Sequence, residues 1–143
     1  MAVSKWLGAG NGATAKATTR AVGGQGEARA LVHLQAAGLV LVARNFKSPG
    51  RGGGEVDLIM REPDGTLVFV EVRQRASAGH GGAAASVGWA KQRRLVFAAR
   101  HYLARLATLP PCRFDVVAVQ GATDERSGEV QWLRAAFDAT GHA

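Results

Sequence analysis

The chain has 143 residues, enough for one domain, and 47% of them are hydrophobic, so a core can form without disulfides. The 18 Lys and Arg residues exceed the 11 Asp and Glu residues, and the formal net charge of +7 favours an anionic partner such as nucleic acid. The single cysteine excludes an internal disulfide, and no apolar run reaches the ~18 residues that cross a bilayer. We therefore expect a cytoplasmic protein that does not enter the membrane.

The N-terminal region predicts a tail followed by a helix. Residues 1–22 are rich in Ala, Gly and Thr, with scattered basic residues and no periodic apolar face, which predicts a flexible basic tail. A transit peptide is the alternative interpretation of this segment. Apolar residues then recur every three to four positions up to Gly38, which predicts a helix beginning near Gly23, with Glu27 in its first turn.

Four strands and a second helix are predicted beyond this point. The strand segments are apolar and β-branched and are bounded by Gly or Pro turn signals. The helix has apolar residues at helical spacing and ends before Pro110-Pro111. The predicted strands are 39–44, 55–60, 66–73 and 114–119, the predicted helix is 89–106, and residues 130–137 form an element of uncertain type.

The predicted order, α-β-β-β-α-β, indicates an α/β domain. An antiparallel hairpin comes first, and a helix then crosses over to a further strand. We expect this domain to occupy residues 23–138, between the basic tail and a short C-terminal tail, residues 139–143.

Two of the predicted strands carry acids, which are unusual in strands and are rarely buried without a partner. If the hairpin turn is centred on Asp64, Asp57 faces Glu71 with their Cβ atoms ~5 Å apart. Such carboxylates repel each other unless one is protonated or a cation lies between them, and Mg²⁺ or Mn²⁺ prefers these ligands. A two-residue turn at Asp64-Gly65 would instead put the two acids on opposite faces. If the two acids lie on the exposed face of the hairpin, they are ordinary solvated acids and need no metal ion.

Residues outside the hairpin could complete this site. Glu27 could add a third carboxylate, although an acid near a helix N-terminus also serves as a simple cap. Lys91 lies one turn before the apolar stripe of the second helix and could point toward the same part of the sheet. The arginines nearby form either a solvated face or a phosphate-contacting face. The predicted nucleic-acid contacts are Arg51, Arg75, Arg93, Arg94 and Arg100.

Glu27, Asp57, Glu71 and Lys91 lie within a set of six short motifs. The motifs are Gly26-Glu27-Ala28, Arg44-Asn45, Gly54-Glu55-Val56-Asp57-Leu58-Ile59, Val68-Phe69-Val70-Glu71-Val72-Arg73, Lys91-Gln92-Arg93-Arg94-Leu95 and Arg113-Phe114-Asp115-Val116-Val117. In this order they resemble the YraN family of bacterial proteins, from about Gly24 to Phe137. The resemblance implies a restriction-endonuclease-like fold, a mixed central sheet flanked by helices, similar to that of archaeal Holliday junction resolvases.

The resemblance also implies roles for individual residues. In that superfamily an acid from the first helix, an Asp on one strand and a Glu-x-Lys on the next surround a divalent metal ion. By this resemblance Glu27, Asp57 and Glu71 would hold Mg²⁺ or Mn²⁺. Arg73 stands where the superfamily usually has Lys, and an Arg is effectively always charged, so it stabilises negative charge but does not deprotonate water. Lys91 could supply the missing amine.

The sequence leaves three functions open. The first is a metal-dependent endonuclease acting on branched or damaged DNA, with a catalytic set of Glu27, Asp57, Glu71, Arg73 and Lys91. The second is a non-catalytic nucleic-acid-binding adaptor with a degenerate nuclease site. The third is a protein-interaction domain whose DNA binding is weak and lacks a steep salt dependence. For the endonuclease, a homodimer would allow both strands of a duplex to be cut.

Overall fold

The computed structural model describes residues 18–75, 87–120 and 129–142, so most of the predicted N-terminal tail lies outside the described residues. Neither helix in these ranges is long and apolar enough to cross a membrane. The elements are α1 (Thr18–Ala36), β1 (Val40–Lys47), β2 (Glu55–Arg61), β3 (Leu67–Arg75), α2 (Trp89–Leu103), β4 (Cys112–Gln120) and β5 (Glu129–Phe137).

The five strands form one mixed sheet in the order β1-β2-β3-β4-β5. Strands β1, β2 and β3 pair antiparallel, β3 pairs parallel with β4, and β4 pairs antiparallel with β5. The parallel pair requires a crossover connection, which contains α2. The predicted α/β fold with a restriction-endonuclease-like core is therefore confirmed, and the element of uncertain type at residues 130–137 is the strand β5.

The core lies on both faces of this sheet, with one helix over each face. Alternate residues of β3 divide between the two sides, as the two-residue period of a strand requires. Phe69 packs with Leu95 and Val96 of α2, whereas Val68 packs with Leu34 of α1. By the same alternation Glu71 lies on the α2 side of the sheet, so the acid on β3 faces the helix that carries Lys91.

The hairpin between β2 and β3 has the register that brings its acids together. Leu58 pairs with Val70, and this register centres the turn on Asp64, whose side chain accepts the Thr66 N–H at 2.9 Å. Continued by one residue, it sets Asp57 opposite Glu71. The prediction of a turn centred on Asp64 is confirmed, and the alternative two-residue turn is wrong.

Helix α1 differs from its prediction in a way that affects the site. It begins at Thr18 and runs through the glycines near position 23, so Glu27 lies in its middle and the prediction of a first-turn acid is wrong. Glycine lowers helix propensity by about 1 kcal/mol, but tertiary packing outweighs this preference. Gly26 is buried against β3, where an added Cβ would lie only 2.3 Å from Gln74 Oε1. Its missing side chain allows α1 to approach the strand closely.

The loop between β1 and β2 is closed by reciprocal hydrogen bonds. The Gly54 N–H donates to Ser48 Oγ at 2.8 Å, and the Ser48 N–H donates to the Gly54 carbonyl at 3.0 Å. The loop also packs on α2, since a Cβ at Gly54 would lie 2.0 Å from the Arg94 carbonyl oxygen. Contact of backbone with backbone at this point fixes the start of β2 relative to α2.

We expect Gly54→Ala to destabilise the protein by about 1–3 kcal/mol, because the helix backbone cannot yield as a side chain could. The matched control is Gly24→Ala in α1, where an added Cβ meets no atom within 4 Å. That substitution is expected to be neutral or to stabilise by up to about 1 kcal/mol. Urea unfolding of both variants measures the difference, and equal midpoints would contradict the proposed contact.

A buried carboxylate ties β4 to its neighbours. Asp115 is fully buried, and its carboxylate accepts the Trp132 Nε1–H at 2.8 Å and the Ala135 N–H at 2.9 Å, both from β5. The guanidinium of Arg113 also donates to it, with Nε 3.0 Å from Oδ1, and donates to Glu62 as well. With Arg113 Nη2, which lies 3.2 Å from Oδ2, four donor atoms from β4 and β5 converge on this one acid.

Candidate active site

The two strand acids are in direct contact. The side chains of Asp57 and Glu71 share a hydrogen bond, in which a protonated carboxyl donates to the other. Asp57 also accepts the backbone N–H of Val72 at 2.8 Å, which fixes its orientation. Glu71 is only 7% exposed, so the interpretation of these acids as an exposed hairpin face is wrong.

Burial controls the charge of this pair. Burial and then the neighbouring Asp57 together raise the pKa of Glu71 to about 8, against the opposing effect of Lys91. Burial also raises the pKa of Asp57, against the hydrogen bond from Val72 and the charge of Lys91. Two desolvated carboxyls in contact cannot both ionise readily, so the pair retains a proton near neutral pH unless a cation replaces it.

Lys91 extends from the first turn of α2 to the carboxyl pair, as its helical phase predicted. Its Nζ atom lies 3.3 Å from Glu71 Oε2. The start of the helix is held by Gln92, whose Nε2 donates to the Val87 carbonyl at 2.8 Å. The ammonium group is therefore positioned against the buried acid while its side chain remains 43% exposed to an approaching ligand.

Glu27 approaches the pair from the middle of α1. Burial raises the pKa of Glu27 to about 7, and the nearby Asp57 acts in the same direction. Residues of β1 oppose this: Arg44 Nη2 lies 3.8 Å from Glu27 Oε1, and Asn45 forms a side-chain hydrogen bond to the acid. No role was assigned to the Arg44-Asn45 motif from the sequence. The usable signal was the asparagine itself, because Asn is one of the few residue types that readily adopt a left-handed backbone, and Asn45 has a φ of 52°.

The three acids do not surround a single point: two of them are in contact, and the third lies farther away. Within the described ranges, no three His, Cys, Asp or Glu side chains are close enough together to ligate one metal ion. Asp57 and Glu71 touch, whereas Glu27 interacts with this pair only electrostatically, and with Asp57 rather than Glu71. Arg73 follows Glu71 by two residues on β3 and therefore lies on the same face of the strand.

Four of the five predicted nucleic-acid contacts line one groove on the outer side of α2. The groove has a volume of about 1140 Å³ and is lined by Arg51, Arg93, Arg94 and Arg100. The fifth, Arg75, ends β3, and its side chain lies outside the described residues. Aromatic and histidine rings that were not among the predicted site residues share this groove, and the helical spacing of the three rings on α2 was a usable signal. These ring-bearing residues are Trp89, Phe97, His101 and His142.

A smaller cavity of about 310 Å³ shares one lining residue with this groove. Its lining includes Lys91, which contacts Glu71, and Arg94, which also lines the larger groove. Glu55 and the Ser48–Gly54 loop form its other wall. The structure therefore brings Lys91, which contacts the carboxyl pair, and three of the five predicted arginines to one region beside the N-terminal half of α2, whereas Glu27 lies on α1.

Comparison with known proteins identifies relatives of this arrangement. Residues 26–119, which include every acid of the site, match the Uncharacterised protein family UPF0102. The UPF0102 protein of Paracidovorax citrulli is 66% identical over 128 residues, covering 90% of each chain. That of an Acidovorax species is 61% identical over 129 residues, covering 90% of this chain and 93% of the relative. The chain therefore belongs to the UPF0102 family, the YraN family that its sequence motifs resemble.

Proposed function

We propose that the protein is a Mg²⁺- or Mn²⁺-dependent phosphodiesterase that cleaves DNA of branched or damaged structure in the cytoplasm. The observation that carries this proposal is the buried contact between the carboxyls of Asp57 and Glu71. Such a pair needs either a proton or a cation, and a hard divalent ion prefers carboxylate oxygens. The donor set therefore fits a metal ion of this class, and the adjoining arginines fit its polyanionic substrate.

Each residue of the site has a separate role in this proposal. Asp57 and Glu71 would hold the metal ion, and Glu27 would complete the site through water. Once bound, such an ion supplies Lewis-acid chemistry and an activated water. Lys91 and Arg73 would bind the phosphate and stabilise the negative charge that develops on it.

Metal binding should depend on pH, because these acids must lose protons before they bind a cation. The pKa of Glu71 is raised to about 8 and that of Glu27 to about 7. We therefore expect affinity for Mn²⁺ to increase steadily from pH 6 to pH 8. A site built from acids with ordinary pKa values would already be ionised at pH 6 and would show no such increase.

Calorimetric titration with Mn²⁺ at these two pH values tests the proposal, followed by cleavage assays on the same samples with branched, duplex and single-stranded DNA. We expect Asp57→Ala to lower metal affinity by about tenfold or more and to abolish cleavage. Glu129→Ala, which removes an exposed acid at the start of β5, is the matched control and should leave both unchanged.

The outcomes separate the proposal from its alternatives. Loss of metal binding and of cleavage together in Asp57→Ala would support the enzyme. An absence of metal binding in the wild-type protein would overturn it. Metal binding without cleavage of any DNA, combined with tight and salt-dependent DNA binding, would favour the non-catalytic adaptor instead.

A further inference from the structure

The groove on the outer side of α2 combines arginines with exposed aromatic rings. Trp89 is 52% exposed and Phe97 is 39% exposed, although both lie on a helix whose opposite side is buried in the core. None of the described residues lining the groove is acidic. Exposed apolar side chains that lie together can mark an interaction site, and the arginines around these rings favour an anionic partner.

The rings and arginines alternate along one stripe of the helix. Trp89, Arg93 and Phe97 follow each other at intervals of four residues, and His101 continues the series. At 1.5 Å per residue, the two aromatic residues are separated by about 12 Å, with an arginine between them. Arg51 approaches this stripe from the loop between β1 and β2.

The indole of Trp89 is held in place by the C-terminal segment. The ring of His142 meets it edge to face, with centroids 4.1 Å apart. His142 is itself fixed, because its carbonyl accepts a hydrogen bond from Arg100 Nη1 at 2.7 Å and its ring lies 3.1 Å from Gln92 Oε1. The residues predicted as a C-terminal tail therefore support one end of the groove.

Single-stranded nucleic acid has the chemistry that fits these features. Proteins that bind it combine a positively charged groove with aromatic rings on which unpaired bases stack, and arginines that contact the backbone. A blunt duplex offers phosphates but no free base faces, since its bases are already stacked on each other. The rings would have no ligand in a duplex, although the arginines would.

We infer that the groove of Arg51, Trp89, Arg93 and Phe97 binds an unpaired DNA strand, with bases stacked on the rings and phosphates held by the arginines. Arg94 connects this groove to the cavity that contains Lys91, next to the carboxyl pair. The strand would therefore leave the scissile position through the groove. The link between this groove and cleavage rests on the proposed function. With that link, the substrate is a junction of duplex with single strand. Binding of the single strand by the groove does not depend on the proposed function.

Fluorescence anisotropy tests the inference with the full chain, a labelled oligothymidylate of about 12 nucleotides and a blunt duplex of equal length, all in EDTA. We expect the wild-type protein to bind the single strand about tenfold or more tightly than the duplex. Trp89→Ala and Arg93→Ala should each weaken single-strand binding by about tenfold, and Trp89→Phe should restore most of it. Binding should also quench tryptophan fluorescence, and Trp89→Ala should remove most of that quenching.

Arg61→Ala is the matched arginine control, because Arg61 is exposed and ends β2 at the opposite end from Glu55. It should change affinity by less than about twofold, and thermal unfolding should show that every variant is folded. Equal binding by wild type and Trp89→Ala, or equal affinity for single strand and duplex, would overturn the inference. Because EDTA removes the metal ion, these results stand apart from the metal and cleavage tests, so failure of one proposal is distinguishable from failure of the other.

Discussion

Replacing Glu71 with Gln is expected to stabilise the metal-free protein at pH 8–9 while lowering metal-dependent cleavage by about a thousandfold or more. The pKa of Glu71 is raised from an ordinary 4.5 to about 8, chiefly by burial. A carboxyl group whose pKa is raised in the folded state contributes its full stabilisation below pH 4.5. That contribution is lost as the pH rises through about 8. Gln is neutral at every pH and avoids this loss.

The size of the effect follows from linkage. A displacement of one pKa unit corresponds to about 1.4 kcal/mol, so the wild-type protein should lose on the order of a few kcal/mol between pH 5 and pH 9. Glu27, whose pKa is raised to about 7, acts in the same direction and leaves part of the slope in the variant. Adding Mn²⁺ should restore wild-type stability at high pH but should have little effect on Glu71→Gln.

Urea unfolding at pH 5, 7 and 9, with and without Mn²⁺, measures these changes. A merely structural glutamate would give the opposite pattern, with Glu71→Gln less stable than wild type at every pH. The combination of higher stability and lost cleavage is the signature of an active-site acid held in an unfavourable environment. Glu129→Gln, at an exposed position, is the matched control and should change neither property.

Replacing Asp115 with Ala is expected to cost about 3–5 kcal/mol of stability. Asp115 is fully buried and accepts hydrogen bonds from Arg113, Trp132 and the backbone of Ala135. Removing the carboxylate leaves these donors without their acceptor and leaves the half-buried guanidinium without one of its two acids. Because Trp132 and Ala135 belong to β5, the loss should fall mainly on the pairing of β4 with β5.

Asp138→Ala is the matched control, since Asp138 is an exposed acid whose Oδ1 accepts only the Thr140 N–H among the contacts of the described residues. It should cost less than about 1 kcal/mol. Hydrogen exchange should show that the amides of β5 lose protection in Asp115→Ala before those of β3. A loss of stability below about 1 kcal/mol for Asp115→Ala would contradict the role assigned to this carboxylate.

The sequence by itself determined most of the elements and the two strand acids that lie buried together. Apolar, β-branched runs separated by turn signals predicted β2, β3 and β4, because side-chain burial on a sheet depends on a pattern local to each strand. Asp57 and Glu71 stood out for a local reason as well, since a carboxylate inside such a run must find a partner. The helical spacing of the apolar residues in α2 likewise indicated that Lys91 points toward the sheet.

The register of the hairpin and the length of α1 depended on contacts that the local pattern does not contain. Two turn geometries fitted Asp64-Gly65, and only pairing along the whole of β2 and β3 selected the one that joins the acids. The glycines near position 23 predicted a helix start, but the close approach of Gly26 to Gln74 explains why a glycine is favoured inside the helix. Local propensities of about 1 kcal/mol are smaller than the packing energies that oppose them.

The sequence also determined the charge of the protein, but only the tertiary structure decided where that charge acts. Arg51 lies in a loop, Arg93 in a helix, and His142 near the C-terminus, and the fold brings all three to one groove. Residues so far apart in the chain leave no periodic signal, because their proximity comes from the crossover of α2 over the sheet and the return of the C-terminal segment. Composition therefore indicated an anionic partner, and the proposal of an unpaired strand rests on the folded surface.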